Sequence, residues 1–117
     1  MLRELNIPAT VEQIMTFIRN TLTDAGFSRI VVAVSGGIDS ATAITLGSAA
    51  LGPENVFALS LPYKDWNGDA KQHTEQLLRH LQIPASHIRE IDIAPMVEAF
   101  QCRLLVMISN VVLRSSL

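Results

Sequence analysis

Two kinds of hydrophobic pattern alternate along this chain, one with the period of a helix and the other in short unbroken runs. The first helical pattern consists of Val11, Ile14, Met15, Ile18 and Leu22. Thr10, with Gln13 three residues later, has the form of a capping box, in which two side chains satisfy the first N–H groups of a helix. The pattern therefore predicts a helix over about 11–25 that is closed by Gly26.

An unbroken apolar run, Ile30–Val34, follows this helix. A strand without alternation is typical of a parallel sheet that is covered on both faces, so we predict a central strand here. The next helical stretch is rich in alanine and ends at Gly52-Pro53. Gly47 lies inside it, and we interpret this glycine as the point where the helix approaches the sheet most closely.

A second strand is predicted over residues 55–61, where Pro62 stops it because proline has no N–H to donate. A loop over residues 63–68 then leads to a third helix. Asp69 with Gln72 supplies the capping signal for that helix.

The third helix is predicted to end at the break Ile83-Pro84, and a third strand to follow over residues 88–93. Pro95 then begins a last helical segment. The resulting order is α-β-α-β-α-β-α. Strands that alternate with helices indicate an α/β fold with a doubly wound parallel sheet, whose ligands bind at the carboxyl ends of the strands.

The segment Ser35-Gly36-Gly37-Ile38-Asp39-Ser40 lies at such an end, between the first strand and the second helix. Adjacent glycines permit positive φ angles and let successive N–H groups converge on a phosphate, to which the helix N-terminus adds further donors. The two serines add hydroxyl donors. A carboxylate here would repel phosphate unless a divalent cation lay between them, so the segment predicts ATP bound with Mg²⁺.

An ordinary glycine-rich turn is the alternative interpretation of this segment. Two other phosphate-binding motifs do not match this segment. The segment lacks the lysine of a Walker A loop, and its adjacent glycines do not have the spacing of a Rossmann fingerprint.

Composition excludes several classes of function. The 117 residues suffice for one small domain, and 49% of them are hydrophobic, which is enough for a core. We expect no binding to nucleic acid, because the formal net charge is −2 and nucleic-acid-binding modules usually carry a basic face. We expect no membrane association and no signal peptide, because no apolar run is long enough to span a bilayer and the N-terminus lacks an apolar core.

The single cysteine and the three histidines give no sign of a metal centre. Cys102 has no partner for an internal disulfide, which favours a reducing cytoplasm, and we predict a buried apolar thiol. His73 and His80 share a helix face and His87 lies beyond the proline break, so we predict solvated or capping roles for them.

Three motifs in register resemble one family. The glycine segment is similar to the S-G-G-x-D-S loop of the ATP pyrophosphatase (PP-loop) superfamily. Leu61-Pro62-Tyr63 is similar to the (M/L)-P-Y exit of the second strand in NAD synthetases. Residues 91–100, with the sequence I-D-I-A-P-M-V-E-A-F, resemble their I-x-I-x-P-x-V-D-A-F segment. Over residues 7–100 the chain therefore resembles the N-terminal part of the ammonia-dependent NAD synthetases.

The resemblance implies a Rossmann-like α/β fold of the adenine nucleotide alpha hydrolase type, and a ligase that adenylates nicotinic acid adenine dinucleotide (deamido-NAD) with ATP before ammonia displaces AMP. Asp39 would be the Mg²⁺ ligand, and no catalytic residue is predicted. By the same resemblance, the residues that would bind ATP are Ala33, Val34, Ser35, Gly36, Gly37, Ile38, Asp39, Ser40 and Leu61.

Several weaker assignments follow from the same resemblance. The backbone of residues 60–62 would line the adenine pocket, and full-length members of the family are expected to be homodimers. Tyr63 is a further candidate, and Lys64 would reach phosphate if it were not simply solvated. Trp66 would pack on a base or act as a loop anchor.

The tail over residues 101–117 carries none of the family's later motifs, so we predict a single partial PP-loop domain truncated to about three strands. A truncation, a misread frame and a divergent end all stay open. The superfamily's sheet order resembles 3-2-1-4-5, so three strands would leave Ile30–Val34 at an unpaired edge. The apolar tail over residues 104–113 is the candidate to cover that edge, as an added strand or as a helix continuing from Pro95, which we favour.

Three functions therefore stay open. The chain is part of an ammonia-dependent NAD synthetase, or an ATP–Mg²⁺-binding module without chemistry, or a structural fragment that binds no nucleotide. Another PP-loop enzyme, similar to GMP synthetase or to a tRNA-modifying enzyme, is the alternative within the superfamily. We favour the NAD synthetase ancestry.

Overall fold

The computed structural model describes residues 4–62 and 68–115, with side chains described as far as Val111. Four α-helices and three strands alternate in this part of the chain, in the predicted order. The elements are α1 (Ile7–Ala25), β1 (Ile30–Val34), α2 (Ile38–Leu51), β2 (Val56–Ser60), α3 (Gly68–His80), β3 (Ile88–Glu90) and α4 (Ala94–Ser115), with short 3₁₀ turns at Pro53–Asn55 and Ala85–His87.

The first helix, α1, begins earlier than predicted. Asn6 is its N-cap, and the Asn6 Oδ1 accepts a hydrogen bond of 3.2 Å from the Ala9 N–H. Pro8 lies in the first turn, where a missing N–H leaves no helical bond unmade. The prediction of Thr10 as the cap was wrong, because its hydroxyl lies inside the helix and donates to the Asn6 carbonyl at 2.9 Å. Gly26 closes the helix with a φ of 80°, as predicted.

The sheet is parallel with the order β1-β2-β3, and the predicted α/β class is confirmed. In the register, Ile30 lies opposite Val56 and Ala58 lies opposite Ile88. β1 is an edge strand of this sheet, as we predicted for a chain with three strands. Its bounds, Ile30–Val34, are those predicted from the apolar run.

The core lies on one face of the sheet. Val34, Val56 and Ala58 form a buried cluster there with Ile44 of α2 and Leu78 of α3. On the opposite face Val31 is 68% exposed. The prediction that β1 is covered on both faces was therefore wrong, because no described element packs over the Val31 side.

Gly47 is buried where α2 crosses β1. A Cβ built on Gly47 would lie 2.6 Å from the Cδ1 of Ile30, far closer than real Cβ atoms approach their neighbours. The predicted close approach at this glycine is confirmed. Gly52 ends α2, also as predicted.

β2 and β3 are both shorter than predicted, since Asn55 belongs to a 3₁₀ turn and β3 ends at Glu90. The chain nevertheless continues beside the exit of β2. The Ile91 N–H donates to the Ser60 carbonyl at 2.9 Å, and the Ile93 N–H donates to the Pro62 carbonyl at 3.1 Å. Pro62 has no N–H with which to return such a bond, so the regular ladder stops there.

The third helix, α3, starts at Gly68, so Asp69 lies in its first turn and the prediction of Asp69 as the capping residue was wrong. α3 ends at His80, before the predicted break at Ile83-Pro84, and Gln82 has a φ of 59° just beyond it.

The last helix, α4, runs without interruption through the tail, as we favoured. The Asp92 Oδ1 accepts a hydrogen bond of 2.9 Å from the Ala94 N–H at its start. The side chains of α4 from Glu98 to Val111 are exposed, so this helix does not cover β1. Cys102 is exposed as well, and the prediction of a buried thiol was wrong because no described element covers this stretch of α4. Within the described residues, no helix has the length and apolar character needed to cross a membrane.

Candidate nucleotide-binding site

The glycine segment, Ser35–Ser40, connects β1 to α2 at the carboxyl edge of the sheet. Val34 and Ser60 are paired in the register, so the chain leaves two neighbouring strands at the same level. Leu61, the first residue after β2, therefore lies at the same edge of the sheet as the start of the glycine segment. The structure thus brings the two predicted parts of the site to one edge of the sheet.

The two serines hold the loop together through their hydroxyl groups. The Ser40 Oγ accepts a hydrogen bond from the Ser35 N–H at 3.1 Å and donates to the Gly37 carbonyl at 3.3 Å. The Ser35 Oγ accepts from the Gly37 N–H at 3.3 Å and lies 3.2 Å from the Ser40 Oγ. Either hydroxyl can be the donor between the two. Both hydroxyl groups therefore help to fix the conformation of the loop.

The backbone of the loop supplies donors of the kind that a phosphate needs. Gly36 has a φ of 83°, and Gly37 is the N-cap of α2 without a side-chain capping bond. The first helical hydrogen bond is donated by the Ala41 N–H to the Gly37 carbonyl. Helix geometry leaves the N–H groups of residues 38–40, which precede this bond, without an intrahelical partner. They lie at the positive end of the helix dipole, which attracts anions.

Asp39 lies exposed in the first turn of α2, where a negative side chain is favourable for the helix. Mg²⁺ is usually held by one or two carboxylates together with substrate phosphates, so a single exposed carboxylate beside phosphate donors fits that ion. No group of three or more His, Cys, Asp or Glu side chains that would hold a metal occurs in the described part of the chain. Any Mg²⁺ here would thus be held chiefly by its nucleotide.

The other predicted site residues differ in what they present. Val34 is buried, so only its backbone faces the edge, whereas Ala33 is exposed on the uncovered face of the sheet. Ile38 is 81% exposed at the start of α2, and Leu61 is also exposed. Each of these residues offers backbone groups or apolar surface. Tyr63, Lys64 and Trp66 lie outside the described residues.

A small cleft separates the glycine loop from α3, and sequence reasoning missed it. Its volume is about 90 Å³, and it is lined by Gly36, Gly37, Ser40, Ala41, His73, Thr74 and Leu77. One turn before these helical residues, Ala70 packs so tightly on the loop that a Cβ on Gly36 would lie 2.7 Å from the Ala70 carbonyl oxygen. The spacing of Ala70, Thr74 and Leu77 is that of one helix face, and this period was the available signal.

The three histidines occupy different environments. His73 and His80 are both exposed on α3, but only His73 lines the cleft. The His87 ring stacks on Phe57 with a centroid distance of 4.0 Å, and its Nδ1 lies 3.3 Å from the Val56 carbonyl oxygen. His87 therefore packs against β2 and does not line the cleft.

Comparison with known proteins identifies one family. The sequence profile described as NAD synthase matches residues 10–112. The NH(3)-dependent NAD(+) synthetase of Fusobacterium nucleatum is 37% identical over 97 residues, which is 83% of this chain and 36% of that protein. The enzyme of the same name from Thermococcus kodakarensis is 38% identical over 105 residues, covering 88% of this chain and 39% of its relative. The chain thus spans little more than a third of these relatives.

Comparison with solved structures gives the same family. The NH3-dependent NAD synthetase of Campylobacter jejuni, in complex with a nitrate ion, superposes with a TM-score of 0.75 at 29% identity, over 85% of this chain and 42% of that one. The glutamine-dependent NAD+ synthetase of Acinetobacter baumannii, in complex with ADP, also gives 0.75, at 25% identity over 92% of this chain and 20% of the other. The predicted resemblance to NAD synthetases and their PP-loop fold is confirmed.

Proposed function

Because this chain belongs to the NAD synthase family, we propose that its glycine loop binds the phosphates of ATP with Mg²⁺ during the synthesis of NAD. The reaction has two steps. The carboxylate of deamido-NAD attacks the α-phosphorus of ATP, so that an acyl adenylate forms and pyrophosphate leaves. Ammonia then attacks the acyl carbon, losing a proton as the amide of NAD forms and AMP leaves.

The observation that carries this proposal is the loop itself. Gly36 at φ 83° and the N-terminus of α2, whose first N–H groups have no intrahelical partner, lie together at the carboxyl edge of a parallel sheet. Negative charge builds up on the departing pyrophosphate as AMP is transferred. Donors that are already oriented stabilise this charge without having to reorganise. The ADP complex of the Acinetobacter baumannii relative supports binding of an adenine nucleotide.

Asp39 is the proposed metal ligand, since its carboxylate stands exposed beside the phosphate donors. When bound, Mg²⁺ would supply positive charge that neutralises phosphate oxygens and would orient the leaving group. The chain's own contribution is to hold that ion and the pyrophosphate at one edge of the sheet. The backbone at residues 60–62 is proposed to line the adenine pocket, together with Leu61.

A second candidate function is an ATP–Mg²⁺-binding module without chemistry. It is favoured by the geometry of the loop, whose backbone donors and Asp39 serve binding of phosphate and Mg²⁺. Nucleotide binding is the step that the described residues would carry by themselves. Deamido-NAD and ammonia as substrates, a homodimer and a cytoplasmic location are proposed for the protein that performs the complete reaction.

Isothermal titration of the chain with ATP, with and without Mg²⁺, tests the binding step. We expect Asp39→Asn to weaken Mg²⁺-dependent ATP binding by about tenfold or more, because it removes the charge that holds the ion while keeping the side-chain shape. Asp24→Asn, which removes an exposed carboxylate from α1, is the matched control and should bind ATP like the unaltered chain. Affinity that depends neither on Mg²⁺ nor on Asp39 would contradict the proposal.

Turnover is a separate measurement. The chain is incubated with ATP, Mg²⁺, deamido-NAD and ammonium, and NAD, AMP and pyrophosphate are quantified, with the Fusobacterium nucleatum enzyme as positive control. Formation of NAD supports the complete reaction in this chain. ATP binding without release of AMP or pyrophosphate supports the binding module instead.

A further inference from the structure

The cleft between the glycine loop and α3 is lined by groups that can donate hydrogen bonds to an anion. One wall contains Gly36, Gly37 and Ser40 from the loop, and the opposite wall contains His73 and Thr74 from α3. Its volume of about 90 Å³ is far below that of a nucleotide. The space is large enough for water or for a small polar group such as a phosphate.

A buried hydroxyl without a described partner, on Thr74, distinguishes this cleft from an ordinary packing gap. The residue is only 5% exposed, and its Oγ1 has no hydrogen-bond partner among the described residues. A buried hydroxyl is nearly always paired, because leaving it unpaired loses the bonds it makes to water. The Oγ1 atom itself is almost inaccessible to solvent, so it would reach a ligand in the cleft by rotation of the Thr74 side chain about χ1.

His73 lies one residue before Thr74 and is exposed. Its imidazole always carries at least one N–H, which donates readily to a phosphate oxygen. Ala70, one turn earlier, packs directly against Gly36, so the start of α3 is held against the loop. This packing keeps both residues of α3 beside the loop, His73 on the exposed rim of the cleft and Thr74 in its buried wall.

We propose that His73 and Thr74 extend the phosphate site of the glycine loop across the cleft, donating hydrogen bonds to a phosphate oxygen directly or through one bound water. The inference rests on the proposed nucleotide function and adds two residues of α3 to that site. It assigns them to the binding and positioning of the phosphate. The N–H donors at the start of α2 and the hydroxyl and imidazole groups of the cleft favour a phosphate group over the base.

Titration with pyrophosphate and with ATP–Mg²⁺, combined with thermal unfolding, tests the proposal in the full chain. Thr74→Val keeps the shape of the side chain and removes the hydroxyl, and His73→Ala removes the imidazole. We expect each to weaken binding of both ligands by about tenfold, the size of one hydrogen bond to a charged group. Thr74→Ser retains the hydroxyl and should restore most of the affinity.

Matched controls exist on the same elements. Ser48→Ala removes another buried hydroxyl without a described partner, on α2, and His80→Ala removes the other exposed histidine of α3, two turns from His73. Both should bind pyrophosphate like the unaltered chain. We expect Thr74→Val not to lower the melting temperature, since the hydroxyl it removes is unpaired without ligand.

The outcomes separate the two proposals. If Asp39→Asn loses affinity for ATP–Mg²⁺ while Thr74→Val and His73→Ala retain full affinity, the cleft proposal is overturned and the nucleotide function stands. If the unaltered chain binds neither ligand, both proposals are wrong. Because His73 is exposed, His73→Ala does not depend on the core and gives a decisive result even if Thr74→Val unfolds.

Discussion

At the scale of single residues, two separate features of Gly36 disfavour any residue with a Cβ. Its φ of 83° favours glycine, and the backbone of Ala70 occupies the space that a Cβ would need. Gly26 has nearly the same φ, of 80°, but nothing within 4 Å of the Cβ position. The two glycines therefore separate the cost of the backbone angle from the cost of contact with α3.

Gly36→Ala should accordingly destabilise the protein more than Gly26→Ala. We expect about 1 kcal/mol for Gly26→Ala from the left-handed backbone alone. Gly36→Ala should lose about 3 kcal/mol, because overpacking against a rigid backbone adds to that strain. Urea unfolding measures both, and equal losses would contradict the close contact. Titration with ATP should show weaker binding only for Gly36→Ala.

At the same scale, sequence reasoning located the loop but not its surroundings. Asp39 and the paired glycines lie where the motif predicted, because a strand–loop–helix pattern is local. Thr10 lost its predicted capping role to Asn6, since two cap signals lie close together and only the geometry of the chain entering the helix chooses between them. His73 was predicted to be solvated and is exposed, yet its position on the cleft depends on packing between α3 and the loop.

At the scale of elements, the crossing of α2 over β1 depends on Gly47, which has no Cβ. A Cβ on Gly47 would meet only the terminal Cδ1 of Ile30 at short range, with the Cγ1 at 4.0 Å. Ile30→Val deletes that terminal carbon. The pair therefore allows a direct test of whether the glycine serves this contact.

A double-mutant cycle should show strong coupling between the two positions. In the unaltered background we expect Gly47→Ala to destabilise the protein by about 1–2 kcal/mol, because the clash outweighs the better helix propensity of alanine. In the Ile30→Val background the same change should be neutral or stabilise by up to about 1 kcal/mol. The free energies of urea unfolding measure the cycle, and simple additivity would show that the contact has no energetic importance.

At the scale of the whole molecule, the described chain leaves much apolar surface uncovered. β1 is an edge strand with Val31 exposed on its open face, and the side chains of α4 from Glu98 to Val111 are exposed. Unpaired strand edges and contiguous apolar faces promote association between chains.

Val31→Lys should therefore reduce self-association without reducing stability. A lysine on an exposed edge strand opposes pairing with another strand, and Val31 contributes little to the core at its exposure. Sedimentation velocity over a range of concentrations measures the effect. Gln13→Lys adds the same charge on the exposed side of α1 and is the control. Equal association of the two variants would show that net charge, and not the β1 edge, controls it.

The sequence by itself determined the order of the elements, the bounds of β1, the close approach at Gly47 and the position of the glycine loop. These depend on short-range properties: hydrophobic period, the backbone freedom of glycine and the missing N–H of proline. Only the tertiary structure decided that Val31 and Cys102 are exposed and that Thr74 lines the cleft with a buried hydroxyl that has no partner among the described residues. Burial and contact across the cleft depend on segments far apart along the chain, so no local pattern specifies them.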